Sequence, residues 1–227
     1  MNEQQSYQRM LIIRAPYPYG RKFVYMPTDL HLVASRLERS GISADVCDLN
    51  MEPLPPEEKL REYDFLGIGV LGAPYMAEAL KLAKRLREAT GKKPIVGGPT
   101  TSKMTPAQIG KVFGDHAVQS RGNMDLEAYL GRDIVPLEGV SFADSLSRVP
   151  EDVLRSYLNE EFSLYVSQGC NRNCFFCAAD KDMKEKYRDI NALQGDAEFV
   201  AQKAQDLGIP ALSVYLSPLD TFQNPAQ

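Results

Sequence analysis

Short apolar runs alternate with segments of helical periodicity along the first part of the chain, and this alternation restricts the fold more than any other feature. The apolar runs lie at Met10–Ala15, Ile42–Asp48, Phe65–Leu71, Pro94–Val96 and Ala117–Ser120, and the helical segments at 28–40, 75–90, 106–113 and 125–130. Strands that alternate with helices are typical of a parallel sheet with helices on both faces. The sequence therefore predicts an α/β fold with a doubly wound parallel sheet.

Such a sheet would bring three loops to one edge. Ligands of doubly wound sheets bind outside the carboxyl ends of the strands. We therefore expect the loops at Ala15–Tyr25, Gly72–Pro74 and Gly97–Ser102 to share one rim. Glycine allows a ligand to approach the backbone closely, but a glycine after a strand often serves only the turn. Gly97 and Gly98 are therefore candidate ligand-binding residues, and turn formation is their simpler interpretation.

Three of the four cysteines form a compact group after the strand-like run Phe162–Ser167. Cys170, Cys174 and Cys177 have the spacing Cys-x-x-x-Cys-x-x-Cys. Thiolates at this spacing can converge on one metal cluster, whereas a disulfide uses two sulfurs and a closed zinc site needs four ligands. Structural iron–sulfur cubes usually have four cysteines, so a cube with three leaves one iron open to a small molecule.

Two other interpretations of the cysteine group stay open. A zinc site would need a fourth ligand, and Cys47, His31 and His116 are the candidates, all far upstream. A redox thiol switch is the second alternative. Cys47 itself lies in a predicted strand, where we expect a small buried side chain without a chemical role.

The segment Gly169-Cys170-Asn171-Arg172-Asn173-Cys174-Phe175-Phe176-Cys177 resembles the signature of the radical S-adenosylmethionine (radical SAM) enzymes. The resemblance implies that the three thiolates hold a 4Fe-4S cluster and that its open iron chelates the amino and carboxylate groups of S-adenosylmethionine. It places the aromatic Phe176 at this cofactor site. It also implies an electron donor such as ferredoxin or flavodoxin, and a 5′-deoxyadenosyl radical that abstracts hydrogen from a small-molecule substrate.

The half of the chain from Met10 to Gly131 resembles the cobalamin-binding domain of one radical SAM subfamily. In that subfamily the nucleotide tail of the cofactor runs beside a glycine-rich turn after the fourth strand, which matches Gly97 and Gly98. The subfamily includes proteins that keep this fold and lack the cofactor, so cobalamin binding stays open. Residues 29–34 mimic the older motif Asp-x-His-x-x-Gly except at the last position. We expect His31 on the surface or boundary of a helix rather than on cobalt.

The domain bounds follow from the same patterns. Residues 1–131 form the predicted cobalamin-binding-like Rossmann domain, and residues 161–227 the start of a radical SAM domain. Prolines and glycine break the periodicity between them, at Pro136, Gly139 and Pro150, so residues 132–160 are predicted as a linker along the surface.

After the cysteines, a predicted helix at Asp196–Leu207 and strand at Ala211–Leu216 match the opening of the family's partial (β/α) barrel. Asp220 stands in a stretch similar to the family's Asp-x-x-Phe, near the expected amino end of the cosubstrate. Arg188 stands where such enzymes often carry an arginine, and a solvated surface charge is its alternative. A complete barrel takes about 250 residues, so the barrel is incomplete. A second polypeptide, a longer reading frame or a remnant protein would each account for this.

Composition restricts the partners. The formal net charge of −4 makes nucleic acid an unlikely partner. The polar N-terminus and the absence of a long apolar window predict a cytoplasmic protein without a membrane segment. Four cysteines grouped three against one do not form a disulfide framework, and cluster thiolates need a reducing compartment.

Two functions follow from these patterns. The first is a radical SAM iron–sulfur protein that acts on a small molecule, with cobalamin dependence open. The alternative is a non-catalytic cofactor-binding or assembly module, a truncated remnant of such an enzyme. Whether this chain is an enzyme by itself stays undecided, because the catalytic barrel is incomplete.

Overall fold

The computed structural model describes residues 8–19, 25–119, 123–168 and 186–217. Contacts divide these residues into two compact units. Unit 1 holds the described residues 8–19, 36–119 and 123–135, and unit 2 holds 25–35, 136–168 and 186–217. Within the described part of the chain, no helix is long and apolar enough to cross a membrane.

A five-stranded sheet forms the centre of unit 1. In chain order the elements from its first strand onward are β1 (Arg9–Arg14), α1 (Thr28–Arg39), β2 (Ser43–Asp48), α2 (Glu57–Arg61), β3 (Phe65–Gly69), α3 (Met76–Thr90), β4 (Ile95–Gly97), α4 (Pro106–Phe113), β5 (Val118–Gln119) and α5 (Asn123–Leu130). The strand order is β2-β1-β3-β4-β5 and every pair is parallel. The predicted doubly wound parallel sheet is therefore confirmed.

Burial explains why the central strands are continuous apolar runs in the sequence. Parallel strands covered on both faces are apolar at successive positions, and in β1 the residues from Met10 to Ile13 are all buried. The core of unit 1 joins this strand to β3 and to the apolar face of α3, with Leu66, Ile68 and Leu86 among its members. Helix α3 ends at Gly91, whose φ of +74° glycine adopts readily.

Unit 2 contains a long helix and two small sheets among its described residues. After the first eight residues of α1, which belong to this unit, its elements are α6 (Ala143–Leu146), α7 (Glu151–Leu158), β6 (Glu161–Tyr165), β7 (Ser167–Gln168), β8 (Lys186–Tyr187), α8 (Ile190–Asp206) and β9 (Ser213–Ser217). Strands β6 and β9 pair in parallel, with α8 in the connection between them, which is a β/α unit. Strands β7 and β8 form a short antiparallel pair.

Two elements of unit 2 differ from the sequence-based expectation. Helix α8 begins at Ile190 rather than at Asp196, because the Asp189 carboxylate accepts hydrogen bonds from the backbone N–H groups of Asn191 (2.8 Å) and Ala192 (3.3 Å). Residues 136–160 of the expected linker group with unit 2, and helices α6 and α7 lie there. The functional domain bounds at 1–131, 132–160 and 161–227 stay a prediction.

Candidate functional site

The carboxyl ends of β1, β3 and β4 lie side by side in unit 1. Arg14, Gly69 and Gly97 are the last residues of these strands, and they are successive register partners. The expected rim is therefore confirmed for the described residues. The chain leaves β1 towards β2 and leaves β3 towards β4, on opposite sides of the sheet order. Ligands of doubly wound sheets bind at such a switch point, which lies here between β1 and β3.

The turn after β4 needs glycine for a structural reason. Gly98 has a φ of +128°, and a Cβ atom there would lie 2.3 Å from the carbonyl oxygen of Val70. Just before it, the Val70 N–H donates to the carbonyl oxygen of Gly97 over 2.8 Å. Gly98 therefore lets the backbones after β3 and β4 come close together. Its role towards a cofactor, and that of Gly97, stays a prediction.

Aromatic side chains occupy the switch point, and sequence reasoning missed them. The ring of Tyr17 meets Tyr19 edge to face, with centroids 5.3 Å apart, and tilts against Tyr75 at 5.7 Å. Tyr19 is 66% exposed, and Leu71, on the loop after β3, is 42% exposed. The signal was available, because Tyr17 and Tyr19 belong to the loop Ala15–Tyr25 that was expected at the rim. This part of the rim offers an exposed apolar surface.

A buried ion pair lies at the ends of β1 and β2. Arg14 Nη1 is 3.0 Å from Asp48 Oδ2, and both side chains are almost fully buried. The other carboxylate oxygen accepts from the side-chain amide of Asn50 (2.7 Å), whose Oδ1 in turn accepts the Tyr17 N–H. Burial raises the pKa of Tyr75, and the Arg14 guanidinium opposes this shift. The pair thus ties the loops after β1 and β2 to the strands.

The predicted cluster ligands fall in another part of the chain. Cys170, Cys174 and Cys177, with Phe176 and Asp220, lie outside the described residues. We call residues 169–185, which contain the three cysteines, the cysteine segment. The structure describes the residues on either side of it, where Ser167 pairs with Tyr187 and Gln168 with Lys186. Among the described residues, no group of three or more histidine, cysteine, aspartate or glutamate side chains could hold a metal ion.

Arg188 is not a surface charge. It is 1% exposed, and its Nη2 lies 2.5 Å from Oδ2 of the equally buried Asp196. Arg188 Nη1 also donates to the carbonyl oxygen of Tyr165 over 2.9 Å. The alternative of a solvated surface charge is therefore wrong. Tyr165, Val140 and Asp196, from three parts of unit 2, enclose the guanidinium.

The expectation for His31 was also wrong. The side chain is buried, and its Nδ1 lies 2.9 Å from the Ser145 hydroxyl. Burial, with a smaller contribution from the positive charge of Arg148, lowers the pKa of His31 to about 3. The imidazole is therefore neutral at physiological pH and engaged with a hydroxyl group of its own unit. The predicted burial of Cys47 is confirmed, because this side chain lies in the core of unit 1, where burial raises the pKa of the thiol.

Solved structures share this fold, whereas no family model and no curated protein matches the chain. The radical S-adenosylmethionine methyltransferase TsrM from Kitasatospora setae, with cobalamin and a 4Fe-4S cluster bound, matches with a TM-score of 0.64 and 16% identity over 92% of this chain and 49% of that chain. The cobalamin-dependent S-adenosylmethionine radical enzyme OxsB, with aqua-cobalamin and S-adenosylmethionine bound, matches with a TM-score of 0.66 and 12% identity over 93% of this chain and 34% of that chain.

These matches concern the fold alone. The chain has the fold of part of two cobalamin-dependent radical SAM proteins, at low sequence identity. It spans about half the length of TsrM and about a third of OxsB.

Proposed function

We propose that this chain is the cofactor-binding part of a radical SAM protein. It would hold a 4Fe-4S cluster through Cys170, Cys174 and Cys177, and S-adenosylmethionine at the open iron. One observation carries the proposal: the three-cysteine signature occurs in a chain whose fold matches such proteins over more than nine tenths of its length. The fold match adds to the signature, because overall identity is at most 16% in these two cases.

The donor set fits the cluster. Three thiolates within eight residues supply soft ligands for iron and leave one coordination position for the cosubstrate. The cluster, when bound, would supply the electron that cleaves S-adenosylmethionine. The chain's own task would be to hold the three thiolates together and exclude water, and the β7–β8 pair supports this because it brings the two ends of the cysteine segment together. Phe176 and Asp220 remain proposed contacts of S-adenosylmethionine.

Cobalamin is the second proposed cofactor, at the rim of unit 1. The exposed Tyr19 and Leu71 beside the switch point suit a large ligand with apolar faces. The turn at Gly97 and Gly98 is the proposed neighbour of the nucleotide tail.

Anaerobic reconstitution with iron and sulfide tests the cluster. We expect the reduced protein to give a cubane signal in electron paramagnetic resonance that changes when S-adenosylmethionine is added. Replacing all three cysteines by alanine should abolish the signal, whereas Cys47→Ala should retain it because Cys47 is buried in unit 1. Full iron and sulfide content in the triple variant would refute the thiolate assignment.

The cobalamin site is tested separately by absorbance with hydroxocobalamin. Gly97→Val should abolish binding, since a branched side chain would fill the space proposed for the cofactor. Gly139→Val is the control, because a Cβ there meets no atom within 4 Å and the residue lies in unit 2. Unchanged binding by a folded Gly97→Val protein would remove the proposed placement.

The partners are proposals as well. Strand β9 exposes Val214, Tyr215 and Leu216 by 51%, 49% and 45%, on both faces. Parallel strands are normally covered on both faces, and this supports further β/α units, from a longer chain or a second polypeptide, packing against β9. The complete barrel would enclose a small-molecule substrate, with ferredoxin or flavodoxin as electron donor in the cytoplasm.

The alternative function is a non-catalytic cofactor-binding or assembly module. The exposed state of β9 favours it if nothing completes the barrel. Formation of 5′-deoxyadenosine from S-adenosylmethionine by the reconstituted chain distinguishes the two functions, because only a cluster with an open iron in a competent site would produce it.

A further inference from the structure

A buried ion pair stands where the cysteine segment joins the rest of unit 2. Arg188 follows β8 directly, and its Nη2 lies 2.5 Å from Oδ2 of Asp196 in α8. The two side chains are 1% and 0% exposed. We call these two residues the clasp.

Arg188 ties the returning end of the cysteine segment to the strand that leads into it. Its Nη1 donates to the carbonyl oxygen of Tyr165 over 2.9 Å, and its backbone N–H donates to the carbonyl oxygen of Val166 over 2.9 Å. Tyr165 ends β6, and Val166 precedes β7. Arg188 therefore bonds, through its side chain and its backbone, to two residues of the stretch that leads into the cysteine segment.

Asp196 ties the same point to a second stretch of unit 2. Its Oδ1 accepts from the Ser141 hydroxyl (2.5 Å) and from the Phe142 N–H (3.0 Å). Arg188 Nη2 reaches the same stretch through the carbonyl oxygen of Val140. Both carboxylate oxygens thus have partners, so the carboxylate is held in one orientation.

Side chains add to the backbone ladder at this place. Within the described residues, strands β7 and β8 share two register pairs, Ser167 with Tyr187 and Gln168 with Lys186. A pair of strands without further neighbours has little stability of its own. A buried ion pair costs desolvation energy and is weak evidence for stability, so holding a specific arrangement is a better account of its presence. In addition, Arg188 Nε has no hydrogen-bond partner among the described residues, which adds to that cost.

We infer that the clasp of Arg188 and Asp196 positions Cys170, Cys174 and Cys177 for cluster binding by holding the two ends of their segment together. This inference rests on the proposed function, because it assigns a consequence to the cluster. Arg188 and Asp196 are positioning residues in it, since their bonds described above are to the protein itself.

The chain offers a matched control in unit 1. Arg14 and Asp48 form the other buried arginine–aspartate pair described above, 3.0 Å apart, with side chains 4% and 2% exposed. This pair joins β1 and β2, which do not flank the cysteine segment. The double variants Arg188→Met/Asp196→Leu and Arg14→Met/Asp48→Leu therefore remove the same chemistry from two places.

Two readouts test the inference on the full chain. The first is hydrogen exchange of the Arg188 and Asp189 amides in the protein without iron, because these N–H groups donate to Val166 and Glu138. We expect exchange about tenfold faster in Arg188→Met/Asp196→Leu and unchanged in Arg14→Met/Asp48→Leu. The second is iron and sulfide per chain after anaerobic reconstitution, which should fall by about half or more in the clasp variant alone.

Each outcome decides a separate point. A folded clasp variant with wild-type iron content overturns the inference, and so does equal iron loss in the Arg14→Met/Asp48→Leu control. If the wild-type chain binds no iron, the proposed function fails, and amide exchange alone decides whether the clasp holds the segment ends. If the clasp variant does not fold, Arg188→Lys replaces it. Lysine keeps the charge but cannot reach Asp196 and Tyr165 together, so reduced iron content supports the inference and full content overturns it.

Discussion

Both units bury an arginine–aspartate pair, but the surrounding backbone differs. In unit 1 the Arg14–Asp48 pair joins neighbouring strands that share six register pairs, and β1 shares five more with β3. In unit 2 the Arg188–Asp196 pair stands beside a sheet that has two strands, β7 and β8, and two register pairs among the described residues. Backbone hydrogen bonds thus hold β1 and β2 together without the ion pair. In unit 2, side-chain bonds contribute much of the contact between the two ends of the cysteine segment.

This difference shows how two parts of one chain reach a defined geometry by different means. Long parallel ladders fix the rim of unit 1, and the residues on that rim follow from the strand ends. The base of the cysteine segment in unit 2 depends on contacts between residues far apart in the sequence. A polar pair therefore has more influence on geometry where the described sheet beside it has two strands rather than five.

Removing one partner of each pair tests this comparison and should have the largest effect. Arg188→Met and Arg14→Met each leave a buried aspartate without its counter-ion, which costs about 3–5 kcal/mol of unfolding free energy. We expect the larger loss for Arg188→Met, because two buried carbonyl oxygens, those of Tyr165 and Val140, lose a donor, whereas Arg14→Met removes the guanidinium from the Tyr75 hydroxyl. The chain has no tryptophan, so hydrogen exchange at increasing urea, read separately for each unit, is the suitable measurement.

The double variants of the preceding subsection are the control for this measurement. Replacing both partners by apolar residues should recover a large part of the stability in each unit, because no buried charge remains. Equal losses in the two single variants, with equal recovery, would show that the size of the neighbouring sheet does not matter and would remove the basis of the comparison.

The same division explains what could be predicted from the sequence. The strands of unit 1 and helices α3 and α4 follow from local periodicity, and each was located to within about two residues. The glycines at 97 and 98 were recognised as a turn, although the close approach of Val70 that demands Gly98 was not. Local patterns were sufficient here because most residues of the central strands β1, β3 and β4 are buried.

Unit 2 was harder to predict, because its polar burial depends on distant partners. Arg188 bonds to Tyr165, 23 residues away, and to Val140, 48 residues away. His31 meets Ser145, which is 114 residues away. Nothing local distinguishes such residues from surface charges or boundary histidines. The start of α8 was missed for a different reason, since Asp189 is a visible capping residue that was not used.

His31 gives the smaller prediction, a dependence of the stability of unit 2 on pH. Its pKa is lowered to about 3 in the folded chain, whereas an unfolded histidine titrates near 6.5. Between these values the unfolded state binds more protons, so stability falls as the pH falls from about 6.5 towards 3. At about pH 5 the loss should be about 2 kcal/mol relative to neutral pH.

His31→Asn should remove this dependence, because asparagine can place an amide group near the Ser145 hydroxyl and carries no titrating proton. The measurement is the slope of unfolding free energy against pH for unit 2, since the absolute stability also changes with side-chain volume. Asp196, whose pKa is raised mainly by burial, acts in the opposite direction but is present in both proteins. His116→Gln leaves His31 in place and should retain the slope. An unchanged slope in His31→Asn would mean that His31 is not the group that makes unit 2 sensitive to acid, and the buried imidazole would then be ordinary packing.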